Sequence, residues 1–316
     1  MLAVNRLLFY MKIMRKQPFF SIIIPTYNRQ SQLTTCLQSI TRLDYPRKCF
    51  EVIVVNDGGD KTLEAIVDQF HNQINLSLIT QPHAGPAAAR NIGATKAKGE
   101  LLAFTDDDCI PAPDWLQVLA SYFTERSDCI VGGRTINLLT NNIYSTMSQL
   151  ILDVVYRHYN SNPNQSRFFA TNNMALPSDL FFVTSGFDPH FTTSEDREFC
   201  DRYLYHGFQL IYASEAIVYH THTLKFRTFC QQHFNYGRGA FRFHLTRIRR
   251  GSGSFLTDSK FHLNLRNWLL YPFSQVQGRQ VILVAVLLIV WQVVNAAGFF
   301  WEAGNYGIKN LMRIQD

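Results

Sequence analysis

Three consecutive carboxylates, Asp106, Asp107 and Asp108, follow the apolar run Leu101-Leu102-Ala103-Phe104. The run reads as a buried strand. A strand that ends in three like charges needs a fold that offsets their repulsion. Hard divalent ions such as Mg²⁺ and Mn²⁺ take oxygen ligands and would provide that offset. A solvated acidic turn is the alternative reading of the same residues. Position favours the metal, because α/β proteins place their ligands beyond the carboxyl ends of the strands.

The segments before the acidic run predict such a sheet. Residues 19–24, Phe-Phe-Ser-Ile-Ile-Ile, are apolar and β-branched and stop at Pro25, which predicts a first buried strand. A polar helix is expected over residues 30–41 and a second strand over 50–55, closed by Asn56-Asp57-Gly58-Gly59. A helix over 61–70, a strand over 76–79, an alanine-rich helix over 85–97 and a strand over 101–105 follow. Alternation at this spacing predicts an α/β fold with a mostly parallel central sheet flanked by helices. The loops after Ile24, Val55 and Phe104 then share one edge, so Thr26, Asp57 and the three aspartates share a crevice. Beyond Asp108 the pattern is less regular. It predicts a helix over 115–123, strands over 129–136 and 168–176, and a helix opened by Ser194 as N-cap and closed by Gly207. Two short strands, over 208–211 and 216–220, complete the pattern.

The six cysteines lack a Cys-x-x-Cys pair or zinc-like spacing and read as reduced thiols in a cytoplasmic compartment. The net charge of +6 is uneven: residues 216–257 contain no Asp or Glu but seven Lys or Arg (225, 227, 238, 242, 247, 249 and 250). Such a block suits phosphates or an anionic membrane surface, while no nucleic-acid module is recognisable. Residues 1–17 make a poor signal peptide, and Met11 or Met14 are alternative starts. Residues 281–290 are unbroken apolar sequence, and Gln292 and Asn295 are the only polar side chains before Glu302. That length approaches the roughly 20 residues of a membrane span. A transmembrane and an interfacial helix both remain open for residues 280–300.

Several residues carry two readings each. Asp57 precedes glycine, a common turn signal, and also suits an acceptor for the N–H or hydroxyl groups of a nucleoside. The small residues around Gly85-Pro86-Ala87-Ala88-Ala89 allow close helix–sheet packing, which leaves Arg90 on an apolar face, available to a base or phosphate. Glu195 and Asp196 offset a helix dipole, and the same dipole would keep Asp196 ionised as a general base. His220 and His222 alternate on an extended segment and point to one side, as metal ligands or as an ordinary pair.

Residues 22–29 (Ile-Ile-Ile-Pro-Thr-Tyr-Asn-Arg), 54–59 (Val-Val-Asn-Asp-Gly-Gly), 85–91 (Gly-Pro-Ala-Ala-Ala-Arg-Asn), the aspartate run and Glu195-Asp196 together resemble the family 2 glycosyltransferases. The resemblance covers residues 19–222 as a catalytic domain, after an extension of 18 residues and before a basic, aromatic region over 223–279 and a tail over 301–316. It implies a GT-A fold, a nucleotide-sugar donor such as a UDP-sugar, Mg²⁺ or Mn²⁺, and inversion at the anomeric carbon. By position it places Pro25, Thr26, Tyr27, Asp57 and Arg90 around the nucleoside. Asp106 and Asp108 match the outer residues of the family's Asp-x-Asp motif at ribose and metal, with Asp107 left without a settled role. Asp196 matches the base and Glu195 its neighbour at the acceptor; His220 or His222 falls where some members add a metal contact. The processive Gln-x-x-Arg-Trp motif is absent, which points to addition of single sugars to a glycan or lipid-linked acceptor at the cytoplasmic face of a membrane. A nucleotidyltransferase and a non-catalytic nucleotide-sugar-binding adaptor are the competing readings.

Overall fold

A computed structural model describes residues 17–59, 62–124, 126, 128–253, 261 and 265–312. The first half follows the expected alternation: β1 (Phe20–Thr26), α1 (Gln30–Ile40), β2 (Phe50–Asn56), α2 (Glu64–Val67), β3 (Leu76–Thr80), α3 (Pro86–Lys96) and β4 (Leu101–Phe104). The second half comprises β5 (Cys109–Pro111), α4 (Trp115–Phe123), β6 (Cys129–Asn137), α5 (Ile143–Tyr159), β7 (Met174–Pro177) and α6 (Ser178–Val183). It continues with α7 (Glu195–Tyr205), β8 (Gln209–His220), α8 (Phe226–Arg250), α9 (Leu265–Ser274) and α10 (Arg279–Met312). The strands form one sheet in the order β3-β2-β1-β4-β7-β6-β8-β5. Strands β1 to β4 pair in parallel, as the helical crossovers require. Beyond them β7 is antiparallel to both neighbours and β5 is antiparallel to β8, so the whole sheet is mixed and has the GT-A-like form.

Both faces are covered, which explains why β1 and β2 are apolar at nearly every position rather than alternating. Ile22, Ile24, Val52 and Val54 pack on one face under α1, whose buried Leu33, Cys36, Leu37 and Ile40 recur at helical spacing. Ile23, Leu102 and Phe104 face the other side with Phe181, Phe187 and Phe199. Gly93 on α3 lies so close to β1 that a Cβ would sit 2.6 Å from Ile23 Cγ2. The small residues of α3 therefore do serve close packing, and the same closeness brings Arg90 to the end of β4.

Three expectations need correction. Residues 168–173 are not a strand: the Asn160 side chain binds the main chain of Arg167 and Phe168, and Asn173 reaches across to Ala216 and Arg134 carbonyls. Those side chains take the backbone groups that a ladder would have used. The two short strands expected before His220 are one strand, β8, whose register against β6 breaks between Gly133 and Arg134. Residues Ser214, Glu215 and Ala216 form the bulge. Ser194 also departs from a helix cap: it adopts φ 68° and its side chain makes no capping bond. Gly207 ends α7 as expected, with φ 86° and paired hydrogen bonds from Gly207 N to Leu204 O and Phe208 N to Tyr203 O.

Helices α8 and α10 run in the same direction, since their contacts climb together: His233 with Trp291, Arg242 with Glu302, Arg249 with Tyr306. Their backbones nearly touch, because a Cβ on Gly237 would lie 2.0 Å from Asn295 O and one on Gly298 would lie 2.0 Å from Phe234 O. The buried face of α10 (Val284, Leu287, Leu288, Trp291) joins Met147, Leu150, Ile151 and Val154 of α5 and Phe229 of α8 in a separate core. Its other face exposes Ile282, Val286, Ile289, Val293 and Phe300, a stripe at helical spacing. A methyl group at Gly298 meets backbone that cannot swing aside. We expect Gly298→Ala to lower stability by about 1–3 kcal/mol, read as an earlier urea midpoint. Gly304→Ala, where a Cβ meets nothing within 4 Å, should be neutral or slightly stabilising.

Candidate active site

The acidic run lies where β4 ends, between the loop after β1 and the end of β8. Each of its three residues has a partner of its own, and Asp107 and Asp108 also share Arg29. Asp107, 3% exposed, accepts hydrogen bonds from Thr26 Oγ1 at 2.7 Å and Arg29 Nη1 at 3.1 Å. Burial, reinforced by the charge of Asp108 and only partly offset by Arg29, pushes its carboxyl up to about 6. Asp108, 6% exposed, has His220 Nε2 at 3.1 Å from Oδ1, and His222 Nδ1 and Arg29 Nη1 each at 3.0 Å from Oδ2. Burial alone would raise this carboxyl, but the hydrogen bonds from both histidines and the nearby positive charge outweigh it and hold it well below the usual range. His220 is raised, since Asp108 outweighs the effect of its burial. Strand pairing sets this geometry: Cys109 lies opposite His220 in the β5–β8 ladder, and Thr221 N and Oγ1 both donate to the Asp108 carbonyl. The two imidazoles stand 5.4 Å apart and nearly parallel, as alternation on an extended segment requires.

One carboxylate and two imidazoles form an oxygen–nitrogen donor set that a divalent ion such as Mn²⁺ accepts. Asp108, Cys109 and His220 have their donor atoms within 4.8 Å of one another. Burial pushes the Cys109 thiol well up, and hard divalent ions such as Mg²⁺ and Mn²⁺ favour the oxygen and nitrogen donors over its sulfur. Asp106 stands apart from this cluster, held by Arg90.

Arg90 is the second centre. Its Nη2 lies 2.7 Å from Asp106 Oδ1 and its Nη1 lies 2.8 Å from Glu195 Oε1, with the Arg90 and Glu195 side chains only 5% and 9% exposed. A buried guanidinium thus ties the end of β4 to the start of α7. Its Nε has no partner among the described residues. Asp196, next to Glu195, forms no ion pair among the described residues, and its Oδ1 accepts from Arg197 N. Burial and the charge of Glu195 push its carboxyl up to about 7, more than the amide bond and Arg90 pull it down. The dipole at the helix start therefore does not keep Asp196 ionised on its own.

Asp57 faces inward. Its Oδ1 accepts from Gln81 Nε2 at 2.6 Å and Ala84 N at 2.9 Å, and its Oδ2 from Gly85 N at 2.9 Å, with His83 Nδ1 at 2.8 Å. Three N–H donors occupy the carboxylate, and His83 Nδ1 also meets the Asp57 carbonyl at 3.0 Å, which together hold the loop before α3 in place. That loop stacks His83 on exposed Tyr27, with ring centroids 4.5 Å apart, beside Pro25 and Thr26 at the end of β1. The structure thus gathers Pro25, Thr26, Tyr27, Asp57, Arg90 and the aspartate run at one edge, with Glu195 joined through Arg90. Sequence reasoning missed Arg29, Gln81 and His83. Arg29 closes the Pro-Thr-Tyr-Asn-Arg stretch, and a lone cation one loop away from three acids was the available signal.

Residues 21–187 match the glycosyl transferase family 2 model. The chain belongs to this family. It is 28% identical over 224 residues to glycosyltransferase AglE of Haloferax volcanii, covering 70% of this chain and 73% of that protein. It is 37% identical over 110 residues to the poly(ribitol-phosphate) beta-N-acetylglucosaminyltransferase TarS of Staphylococcus aureus, covering 34% of this chain but 19% of TarS. Among solved structures, the Pyrobaculum calidifontis mannosyltransferase PcManGT in complex with GDP-Man and Mn²⁺ superposes with a TM-score of 0.66 over 94% of both chains at 17% identity. TarS 1–349 in complex with UDP-GlcNAc gives a TM-score of 0.53 over 92% of both chains at 18% identity. These two likenesses establish the fold. The protein is a glycosyltransferase enzyme. Removing the Arg90 charge would leave two carboxylates facing each other in a buried site. We expect Arg90→Met to cost about 3–5 kcal/mol, measured by thermal or urea unfolding, with a smaller loss in Arg90→Lys.

Proposed function

We propose that this enzyme transfers a single sugar from a nucleotide-diphospho-sugar to an acceptor hydroxyl with inversion, using Asp196 as general base. The observation that carries the reading is the contrast between two adjacent carboxylates. Glu195 is committed to Arg90, whereas Asp196 forms no ion pair among the described residues and is pushed by burial and the charge of Glu195 up to about 7, where a base works best at neutral pH. Solved relatives in complex with GDP-Man or UDP-GlcNAc support a nucleotide-sugar donor. The nucleoside position is bordered by Pro25, Thr26, the Tyr27–His83 ring pair and the loop that Asp57 holds. Asp106 and Arg90 lie between that position and α7.

Asp108 with His220 and His222 would hold Mg²⁺ or Mn²⁺, and the imidazole nitrogens favour Mn²⁺. When bound, the ion supplies positive charge to the diphosphate leaving group. Asp196 takes the acceptor proton as the acceptor oxygen attacks the anomeric carbon from the face opposite the departing diphosphate. Glu195, fixed by Arg90, sets the position of the helix start that carries the base. The family 2 match favours transfer over the nucleotidyltransferase and adaptor readings, and no phosphate-loop signature follows Ile24 to support the former.

The acceptor is presented at a membrane surface by α10. This helix meets the length and hydropathy of a membrane span over residues 279–307. Its packing favours lying along the surface: one face is locked to α5 and α8, and Glu302 pairs with Arg238 and Arg242 at 2.8 and 2.6 Å. A crossing helix would have to take α8 and its charges into the bilayer. The exposed stripe from Ile282 to Phe300 supplies the apolar contact. The basic block contributes less than its sequence promised, because Arg250 also turns inward, to Glu198 and Asp201.

Two tests follow from this reading. Asp196→Asn should lower kcat about 10²- to 10⁴-fold while Mn²⁺-dependent binding of nucleoside diphosphate is retained. In the parent enzyme kcat should rise with pH through about 7 as Asp196 loses its proton, and the variant should lack that limb. Unaltered turnover in Asp196→Asn would reject the base assignment. The parent chain should also co-sediment with phosphatidylcholine–phosphatidylglycerol vesicles, and Ile289→Asp/Val293→Asp should weaken that binding at least about tenfold without loss of fold. Equal sedimentation of both proteins would remove α10 from the membrane contact.

A further inference from the structure

We propose that Arg29 is a displaceable counter-cation of the metal position, neutralising Asp107 and Asp108 in the metal-free enzyme and releasing Asp108 when a divalent ion binds. The inference rests on the reading of Asp108, His220 and His222 as metal ligands. A single nitrogen, Arg29 Nη1, lies 3.1 Å from Asp107 Oδ1 and 3.0 Å from Asp108 Oδ2. The two acids are anchored and the cation is not: the Asp107 and Asp108 side chains are 4% and 6% exposed, that of Arg29 42%. Each acid also keeps a partner when Arg29 leaves, Thr26 Oγ1 for Asp107 and the incoming ion itself for Asp108. No buried carboxylate is left without a partner by the exchange.

Displacement follows from charge and space. Arg29 shares Asp108 Oδ2 with His222 Nδ1, so an ion ligated by Asp108 and His222 would sit within a few ångströms of the guanidinium. A dication and a guanidinium at that separation repel strongly. Arg90, the other arginine at the site, cannot be the one that moves, because it is buried and holds Asp106 and Glu195 together. The turn that carries Arg29 includes Asn28 at φ 56°, and Arg29 itself is the residue before α1, outside the regular helix. Exchange makes the metal alone a weak ligand. A nucleoside diphosphate, which offers negative charge to both the ion and the released guanidinium, then strengthens metal binding, and by linkage the metal strengthens nucleotide binding equally.

A clamp and a counter-cation predict opposite signs. If Arg29 only braced the loop, its loss would loosen the site and weaken Mn²⁺. As a counter-cation, its loss tightens Mn²⁺. Calorimetric titration of the full chain with Mn²⁺ alone should give a Kd for Arg29→Gln at least about tenfold lower than the parent value, with Arg29→Lys close to the parent. The boost in Mn²⁺ affinity on adding UDP or GDP should shrink in Arg29→Gln. Unchanged or weaker Mn²⁺ binding by folded Arg29→Gln would overturn the proposal. Asp108→Asn separates the two levels: if it binds Mn²⁺ like the parent, the metal reading fails and the exchange with it. If it loses Mn²⁺ while Arg29→Gln shows no gain, the exchange alone fails. In the unaltered protein, modification of Arg29 by phenylglyoxal, read by peptide mass, should accelerate when Mn²⁺ is added, and an unchanged or slower rate would equally overturn it.

Discussion

Asp106, Asp107 and Asp108 stand side by side in the chain, yet each is neutralised from a different direction. Asp106 meets Arg90 from α3, Asp107 meets Thr26 at the end of β1 and Arg29 in the loop after it, and Asp108 meets His220 at the end of β8 and His222 just beyond it. Adjacent carboxylates at the end of a buried strand would otherwise repel and destabilise it. Spreading the compensation over three elements turns that repulsion into a constraint on tertiary structure. Helix α3 must lie close enough for Arg90 to arrive, which its small residues permit, and β8 must run antiparallel to β5 for the histidines to arrive. The site is a condition of the fold as much as its product.

The same constraint explains what could be read in advance. Strands β1, β2 and β4 are buried on both faces, so their apolar runs are nearly unbroken and local sequence announces them. Past Asp108 the structure relies on side chains that reach main-chain groups far along the sequence. Asn160 and Asn173 hold residues that look like a strand, and Gly132 and Gly133 open room for Phe169 and for the Asn173 amide. None of these pairings leaves a periodic trace. Helix α5 did leave one, in Met147, Leu150, Ile151 and Val154, with Asn142 accepting from Tyr144 N and Ser145 N at its start. At the site, residue types legible in the sequence could be assembled into a crevice, but their partners could not. Asp57 looked like a free acceptor and is filled by Gln81 and two main-chain amides; Arg29 had no assigned use and touches two of the three acids.

The C-terminal helices belong to the same system. Gly239 of α8 packs on the turn before α7, where a Cβ would lie 2.5 Å from both Thr193 Oγ1 and Ser194 Oγ, and Thr193 Oγ1 donates to Asn235 O. Arg197, the residue after Asp196, lies over the Phe243 ring at 4.2 Å. Helix α8 therefore sets the height of the α7 start, while α10 lies along α8 with near contact of the two backbones. Arginines that a sequence count assigns to an external anionic surface are used here to bind α8 to α10 and to α7.

Glu195 and Asp196 show how this arrangement separates structure from chemistry within one turn of helix. The pair begins with the same charge and the same helix end. Glu195 turns towards the buried guanidinium that also holds Asp106, so its charge is spent on joining the two halves of the site. That commitment places a fixed negative charge beside Asp196, and together with burial it raises the neighbouring carboxyl to about 7. A carboxylate in water would be too weak a base to take a proton from a hydroxyl at neutral pH, and one fully paired with arginine would be weaker still. On the proposed reading, pairing one acid is what suits the other to act as a base, and the pairing depends on Arg90 being held at the end of β4 by the first of the three aspartates.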